Sequence, residues 1–236
     1  MGSDGLKIGV IGAGAWGTAL ARLLTSSGNS VQLWCHEPET AKNILQKHVN
    51  TSFLPDILLP ESLGASTDLL EIVRNSRILA AAPPSHLTRE IAKKIRPEIT
   101  AEHILLILSK GIEQHSLALM SEIFAEELDN LPKLAVLSGP TFAREVALDL
   151  PSAAVLACAD ETAGSLLQKC FHSDHFRIYR STDLVGVQLG GSIKNVIAIA
   201  SGIADGMQLG LNARAALICR GVAEMSRLGT AMGGSA

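Results

Sequence analysis

Short apolar runs alternate with helical patterns along the first three-quarters of the 236-residue chain. Several runs are almost continuously apolar, which is typical of strands in a sheet that is covered on both faces. Their alternation with helices predicts a parallel, doubly wound sheet. The predicted strands are Lys7–Ile11, Val31–Cys35, Ile78–Ala82, Ile104–Leu108, Leu134–Leu137, Ala153–Ala157 and Phe176–Tyr179. The predicted helices between them are Trp16–Ser26, Pro38–His48, Leu87–Ile95, Leu117–Leu128 and Ala163–Cys170.

After Ser181 the pattern predicts helices only. Thr182-Asp183 suits the N-cap of a first helix, Asn212 could cap a second, and Arg220 and Glu224 form an i,i+4 pair. Two helices make a poor closing domain, because their apolar faces stay exposed. We therefore expect one domain over residues 1–181 and the start of an all-helical domain over residues 182–236. That second domain is either truncated at its end or covered by a partner, as in a homodimer.

Composition narrows the class of protein. Hydrophobic residues make up 47% and charged residues 18%, so a packed core is expected. The net charge of −3 favours neither nucleic acid nor an anionic membrane as a partner. No continuous apolar run reaches the length of a membrane span, and the N-terminus lacks the basic region of a signal peptide. The four cysteines show no metal-binding spacing. We expect a cytoplasmic protein without a metal, with its cysteines as buried free thiols.

A glycine-rich turn is the most informative motif. Gly12, Gly14 and Gly17 form G-x-G-x-x-G directly after a predicted strand and at the start of a predicted helix. The first glycine permits a tight turn, the second lets the backbone approach a pyrophosphate, and the third allows close helix packing. The helix N-terminus then offers free N–H groups to the phosphates. This context predicts a Rossmann-type dinucleotide-binding domain; the alternative is a glycine-rich packing turn.

The residues that would read the ribose leave the cofactor open. Glu37 lies about 20 residues past the turn, where a carboxylate binds a ribose 2′-hydroxyl and favours NAD. It could equally only start the next helix. His36 beside it could hydrogen-bond a 2′-phosphate. We therefore predict NAD(P) without choosing between the two forms.

Three further strand ends carry unusual residues, and ligands of open α/β sheets bind at such ends. Pro83-Pro84 forms a rigid corner suited to passing beneath a flat cofactor. Lys110 is either a charge in the crevice or a solvated loop lysine. The segment 138–143 offers N–H groups and a hydroxyl to an anion, or is only a tight turn with a helix cap.

In the helical region, adjacent Gly190 and Gly191 suggest that another helix or a ligand approaches closely. Lys194 nearby is either a desolvated general base or a lysine whose stem covers apolar surface.

Several segments together resemble the bacterial NAD(P)-dependent glycerol-3-phosphate dehydrogenases along essentially the whole chain. They occur in order and at fitting spacing, which makes the resemblance specific. They are Gly9–Leu20, Ser109-Lys110-Gly111, Ser138–Ala143, Gly186–Gly191, Lys194–Ala200, Asn212-Ala213-Arg214 and Arg220–Met225.

The resemblance implies roles for single residues. Ala15, Trp16, His36 and Ala143 match cofactor contacts of the family. Lys110 matches a lysine shared by cofactor and substrate, and Gly139 and Thr141 match substrate contacts. Lys194 matches the lysine that transfers the proton, and Asn195 is expected close to it.

The implied reaction is reversible hydride transfer between dihydroxyacetone phosphate and sn-glycerol 3-phosphate, which supplies glycerol 3-phosphate for phospholipid synthesis. Lys194 would protonate the carbonyl oxygen, while Lys110 stabilises the oxyanion and helps to lower the pKa of Lys194. The family continues with a Gly-Leu-Gly-Asp-Leu segment and a Ser-Arg-Asn phosphate clamp, which this sequence lacks. Two alternatives therefore stand beside the main expectation: a fragment that binds cofactor without turnover, and a related 3-hydroxyacid or sugar-acid dehydrogenase.

Overall fold

The computed structural model describes residues 5–235, and strands and helices alternate along most of them. The strands are β1 (Lys7–Ile11), β2 (Ser30–Trp34), β3 (Val49–Asn50), β4 (Leu54–Leu58), β5 (Gly64–Ser66), β6 (Ile78–Ala81), β7 (Ile104–Ile107), β8 (Lys133–Ser138), β9 (Ser152–Cys158) and β10 (Phe176–Ser181). The helices are α1 (Ala15–Ser26), α2 (Pro38–Lys47), α3 (Leu69–Asn75), α4 (Thr88–Ile95), α5 (Met120–Glu127), α6 (Ala143–Ala147), α7 (Glu161–Phe171), α8 (Leu184–Gly206) and α9 (Gly210–Ala231).

Eight strands form one sheet in the order β10-β9-β8-β7-β6-β1-β2-β5. All neighbours are parallel except β8 and β9, which run antiparallel. The chain builds outward from β1 in both directions, so β1 lies at the point where the strand order reverses. The predicted doubly wound, mostly parallel sheet followed by helices is confirmed.

Apolar side chains cover both faces of the sheet, as the continuous apolar runs predicted. Along β1, Ile8 and Val10 belong to one buried cluster and Ile11 to the other. Because successive strand residues point to opposite faces, a strand buried on both sides has to be apolar at every position. Three cysteines, Cys35, Cys158 and Cys170, are buried as expected, but Cys219 on α9 is exposed.

The segment between α2 and β6 differs most from the sequence prediction. It contains β3, β4, β5 and α3, none of which was predicted. The strands are only two to five residues long and are interrupted by glycine, proline or polar residues, so they form no apolar run that predicts a strand. The helix α6 was missed because it is only five residues long. Helix α5 begins at Met120 and not at Leu117, because Leu117 has a positive φ of 59°.

The helical region begins as predicted but continues differently. The Asp183 carboxylate accepts a hydrogen bond from the Gly186 N–H at 2.8 Å and caps α8. The predicted cap at Asn212 is wrong, because left-handed residues at Gln208 and Gly210 already turn the chain into α9. The predicted pair on α9 is present, with 3.6 Å between the Arg220 and Glu224 side chains.

Helix α8 is long and apolar although its sequence has no continuous apolar run. It has 23 residues, a mean hydropathy of 1.3 and 17% of that stretch buried, so its length and composition alone would let it cross a membrane. The α8 sequence shows no continuous apolar run because glycines and polar residues interrupt it. Such a helix is weak support for a span, since core helices have the same length and composition. Several apolar side chains of α8 and α9 are exposed, among them Val196 and Ile199 on α8 and Leu211 on α9.

Candidate functional site

The glycine-rich turn between β1 and α1 has a different geometry at each glycine. Gly12 has a φ of 113°, which side chains rarely adopt. A Cβ on Gly17 would lie 2.0 Å from the Gly12 carbonyl oxygen, so only glycine fits there. A Cβ on Gly14 would meet nothing within 4 Å. The turn therefore leaves open space at the N-terminus of α1, where free N–H groups favour an anion.

Asn50 holds this turn in place and was missed by the sequence analysis. Its side-chain amide donates hydrogen bonds of 2.8 Å to the Ala13 carbonyl oxygen and to the Thr18 hydroxyl. The residue is 1% exposed and lies on β3, the two-residue strand. Nothing in the local sequence marks Asn50, because its partners are more than 30 residues away along the chain.

A cleft of about 630 Å³ opens at the carboxyl ends of β1, β2, β6 and β7. Its volume lies within the usual range for small-molecule sites, roughly 300–1,000 Å³. The glycine turn forms one wall, and Pro83-Pro84 forms part of another. His36 and Glu37 both line the cleft, and Glu37 is also the N-cap residue of α2, without a capping side-chain bond. The lining thus contains groups that suit either form of the dinucleotide.

Lys110 lies at the β7 end of this cleft. Its Nζ donates hydrogen bonds to the Gly139 carbonyl oxygen at 3.2 Å and to the Thr141 hydroxyl at 3.1 Å. The same ammonium group lies 5.7 Å from the centre of the Trp16 ring. Trp16, Lys110 and the pair Gly139 and Thr141 come from three separate segments, and the fold brings them together.

The pKa of Lys110 is lowered to about 8 by burial and, to a smaller extent, by the charge of Lys194. Both causes disfavour the ammonium form, because it loses hydration and meets a like charge. The sequence analysis did not predict a lowered pKa for Lys110. A lysine at the edge of a cleft whose pKa lies close to neutral pH is typical of functional sites.

Hydrogen bonds and a glycine fix the loop that carries Lys110. The Ser109 hydroxyl donates to the Pro83 carbonyl oxygen, which ties the ends of β6 and β7 together. A Cβ on Gly111 would lie 2.7 Å from the Ser85 side chain. Farther along, Arg89 of α4 binds Glu113 with two nitrogens, Nε and Nη2. These contacts attach the loop to the sheet and to α4, which limits the movement of Lys110.

Helix α8 passes close to this corner of the sheet. A Cβ on Gly191 would lie 2.2 Å from the Ser138 hydroxyl oxygen and 3.6 Å from Cγ of Lys110. Gly191 therefore allows α8 to approach a strand end, which agrees with the close approach that the sequence predicted at the two adjacent glycines. The buried Ser138 hydroxyl has no hydrogen-bond partner within residues 5–235.

Other predicted site residues lie outside the cleft. Among residues 5–235, the lining includes none of Lys194, Asn195 and Ala143. The Lys194 ammonium group donates a 2.7 Å hydrogen bond to the Asn195 side-chain oxygen. Ala143 is the first residue of α6 and packs against the core. Within residues 5–235, no three His, Cys, Asp or Glu side chains form a group that could hold a metal ion.

An open sheet with a glycine turn at its switch point and a lysine across the cleft defines the class of dinucleotide-dependent oxidoreductases. Comparison with known families narrows this class. The N-terminal model of NAD-dependent glycerol-3-phosphate dehydrogenase matches residues 7–164, and the C-terminal model matches residues 183–236. The chain belongs to the NAD-dependent glycerol-3-phosphate dehydrogenase family, which confirms the resemblance seen in the sequence.

Individual relatives agree with this assignment. The chain is 49% identical over 229 residues to glycerol-3-phosphate dehydrogenase [NAD(P)+] of Citrifermentans bemidjiense, covering 96% of this chain and 68% of that protein. It is 46% identical to the same enzyme of Syntrophotalea carbinolica, with 96% and 69% covered. The crystal structure of glycerol-3-phosphate dehydrogenase from Coxiella burnetii matches with a TM-score of 0.91 and 39% identity, covering 98% of this chain and 70% of that one.

Proposed function

We propose that this protein catalyses reversible hydride transfer between a nicotinamide dinucleotide and the central carbon of dihydroxyacetone phosphate or sn-glycerol 3-phosphate. The observation that carries the proposal is the placement of Lys110. It lies at one end of a cleft that begins at the glycine turn, in contact with Gly139 and Thr141. Membership of the glycerol-3-phosphate dehydrogenase family supports this substrate over the related hydroxyacids.

The glycine turn is proposed to hold the dinucleotide. The open space at Gly14 is proposed to take the pyrophosphate, and the first turn of α1, including Ala15 and Trp16, would offer its N–H groups. His36 and Ala143 are kept as proposed cofactor contacts, and His36 lines the cleft. When bound, the nicotinamide supplies hydride to the carbonyl carbon, or accepts it in the reverse direction.

Lys110 is proposed to stabilise negative charge on the substrate. Its ammonium group is held by the Gly139 carbonyl oxygen and the Thr141 hydroxyl, so little reorganisation is needed when a carbonyl oxygen gains charge. Partial burial strengthens this interaction, because water screens the charge less. Gly139 and Thr141 thereby position Lys110 and are proposed as substrate contacts; of the two, Thr141 lines the cleft.

Lys194 is proposed to transfer the proton. In the reducing direction its ammonium group gives a proton to the carbonyl oxygen, and in the reverse direction the amine takes the hydroxyl proton. Gly191 lies one helical turn before Lys194 and against the Lys110 side chain, with an added Cβ 3.6 Å from Lys110 Cγ, so α8 brings Lys194 towards Lys110. Asn195 holds the Lys194 ammonium group and would orient it towards the substrate.

Further expectations remain proposals. We propose a dinucleotide-binding domain over residues 1–181 and a helical substrate domain beginning at residue 182. A cytoplasmic location and a homodimer also remain predictions. Sedimentation velocity tests the dimer, because a dimer sediments faster than a single chain of this mass.

Turnover of the polypeptide tests the proposed function. The loss of NADH or NADPH absorbance is measured with dihydroxyacetone phosphate as substrate. A 3-keto acid, the oxidised form of a 3-hydroxyacid, serves as the comparison substrate. Turnover that depends on dihydroxyacetone phosphate is expected, and Lys194→Ala is expected to reduce it at least about 100-fold. Reduction of the keto acid but not of dihydroxyacetone phosphate would contradict the substrate. Near wild-type turnover in Lys194→Ala would contradict the role of that lysine.

A further inference from the structure

The cleft extends from Lys110 to a second group of charged side chains. Lys110 follows β7 and His36 follows β2, and these strands are three positions apart in the sheet. At the usual strand spacing this is roughly 14 Å. A dinucleotide with its nicotinamide near Lys110 therefore places its adenosine ribose beside His36, at the end of the second strand.

Two residues of α4 face this end of the cleft and pair with each other. Glu90 and Lys94 are one helical turn apart, so their side chains lie on one face of the helix. The Lys94 Nζ lies 2.7 Å from Glu90 Oε1, and both residues line the cleft. The pKa of the Glu90 carboxyl lies below its usual value, chiefly because of Lys94 and to a smaller extent because of His36. Glu90, Lys94 and His36 thus all line the same cleft.

The two forms of the dinucleotide differ only at this position of the ribose. NADH carries a 2′-hydroxyl, which donates a hydrogen bond to a carboxylate, whereas NADPH carries a 2′-phosphate, which needs a cation. The cleft offers carboxylates at Glu37 and Glu90 and an ammonium group at Lys94. The side chain of Lys94 is 48% exposed, so it is accessible to a ligand. Its ammonium group is already paired with the Glu90 carboxylate.

We propose that Lys94 binds the 2′-phosphate of NADPH and that Glu90 competes with this phosphate for the ammonium group. The pair then sets the preference between the two dinucleotides. NADPH has to replace Glu90 at Lys94, whereas NADH leaves the pair intact. This inference rests on the proposed function, because it places a dinucleotide in the cleft.

Binding of the two reduced dinucleotides to the 236-residue chain tests the proposal, with nicotinamide fluorescence as the readout and no substrate present. Lys94→Ala is expected to weaken NADPH binding roughly tenfold, the value of one charge-assisted contact. Glu90→Gln is expected to strengthen NADPH binding about threefold, because the competing charge is gone. NADH binding should stay within about twofold in both variants.

Lys93→Ala is the matched control. Lys93 is the neighbouring lysine of α4, its side chain is 60% exposed, and it lies 4.0 Å from Glu127, away from the cleft lining. It should leave the binding of both dinucleotides unchanged. Equal weakening of NADPH by the Lys93 and Lys94 variants, or equal effects of Lys94→Ala on NADH and NADPH, would overturn the inference alone. If neither dinucleotide binds the unmodified chain, the proposed function fails and the inference falls with it.

Discussion

At the scale of single residues, Lys110 combines charge with partial burial. Two polar contacts hold its ammonium group, and the Trp16 ring lies beside it. Burial and the charge of Lys194 bring its pKa to about 8. The group is therefore mainly an ammonium ion at neutral pH and mainly an amine above about pH 9.

This titration predicts a pH dependence for the reduction of dihydroxyacetone phosphate. Only the ammonium form of Lys110 stabilises negative charge, so kcat/KM should fall about tenfold per pH unit above its pKa of about 8. Lys110→Arg should be slower at neutral pH but should lose this decline, because a guanidinium group stays charged. The measurement is a kcat/KM profile of both proteins between about pH 6 and pH 10. The same decline in the arginine variant would assign the titration to another group.

Residues of the site differ in how far the sequence reveals them. Gly12, Gly14 and Gly17 were predicted because their spacing and their position between a strand and a helix carry the information. Asn50 and Lys94 were not predicted. Asn50 contacts the turn only through the tertiary fold, and Lys94 looks like any surface lysine of a helix until the cleft is formed. The lowered pKa of Lys110 also depends on the neighbours that the fold supplies.

At the scale of elements, α8 is placed by its glycines. Gly191 lies against the Ser138 hydroxyl at the end of β8, and Gly190 faces the neighbouring helix, with an added Cβ 3.7 Å from Met225 Sδ. The two adjacent glycines therefore serve different contacts. The approach at Gly191 also brings the helix that carries Lys194 towards Lys110.

Alanine at each of these glycines is predicted to have opposite effects on the free energy of unfolding. Gly191→Ala places Cβ 2.2 Å from Ser138 Oγ, so the helix or the serine has to shift, at a cost of about 1–3 kcal/mol. Gly190→Ala makes an ordinary contact and should be neutral or stabilising by about 0.5–1 kcal/mol. Urea unfolding of both variants measures the difference. Equal stability would show that α8 does not need the close approach.

The elements themselves were predictable where they are long and periodic. All seven strands predicted from the sequence exist, because each is an apolar run between turn residues. The strands between α2 and β6 were missed because they are short and contain glycine, proline or polar residues, so they form no apolar run. The antiparallel direction of β9 was also not apparent, since an apolar strand does not encode the direction of its neighbour.

At the scale of the whole molecule, binding of the dinucleotide and stability are linked. A ligand that binds only the folded state adds about 2.7 kcal/mol to stability at 100 times its Kd. For a chain of this size that corresponds to a rise in Tm of roughly 5–10 °C. This rise in Tm reports binding of the dinucleotide even where turnover is slow. It therefore separates dinucleotide binding from catalysis.

Gly14→Ala is predicted to remove the ligand-induced rise in Tm while leaving the fold largely intact. Its Cβ meets no protein atom within 4 Å, and its φ of −65° suits alanine. The loss of stability without ligand should be no more than about 1 kcal/mol, the usual cost of alanine at an N-cap. The new methyl group nevertheless occupies the space proposed for the pyrophosphate. Thermal unfolding with and without NADH measures both effects.

Two further glycines make the interpretation specific. Gly202→Ala on α8 also adds a Cβ with nothing within 4 Å, but far along the helix, so it should keep the full rise with NADH. Gly17→Ala, with its Cβ 2.0 Å from the Gly12 carbonyl oxygen, should lower the Tm even without ligand, because the turn itself has to move. A full NADH-induced rise in Gly14→Ala would mean that the dinucleotide does not cross the open space above this turn, and the assignment of the cleft would have to change.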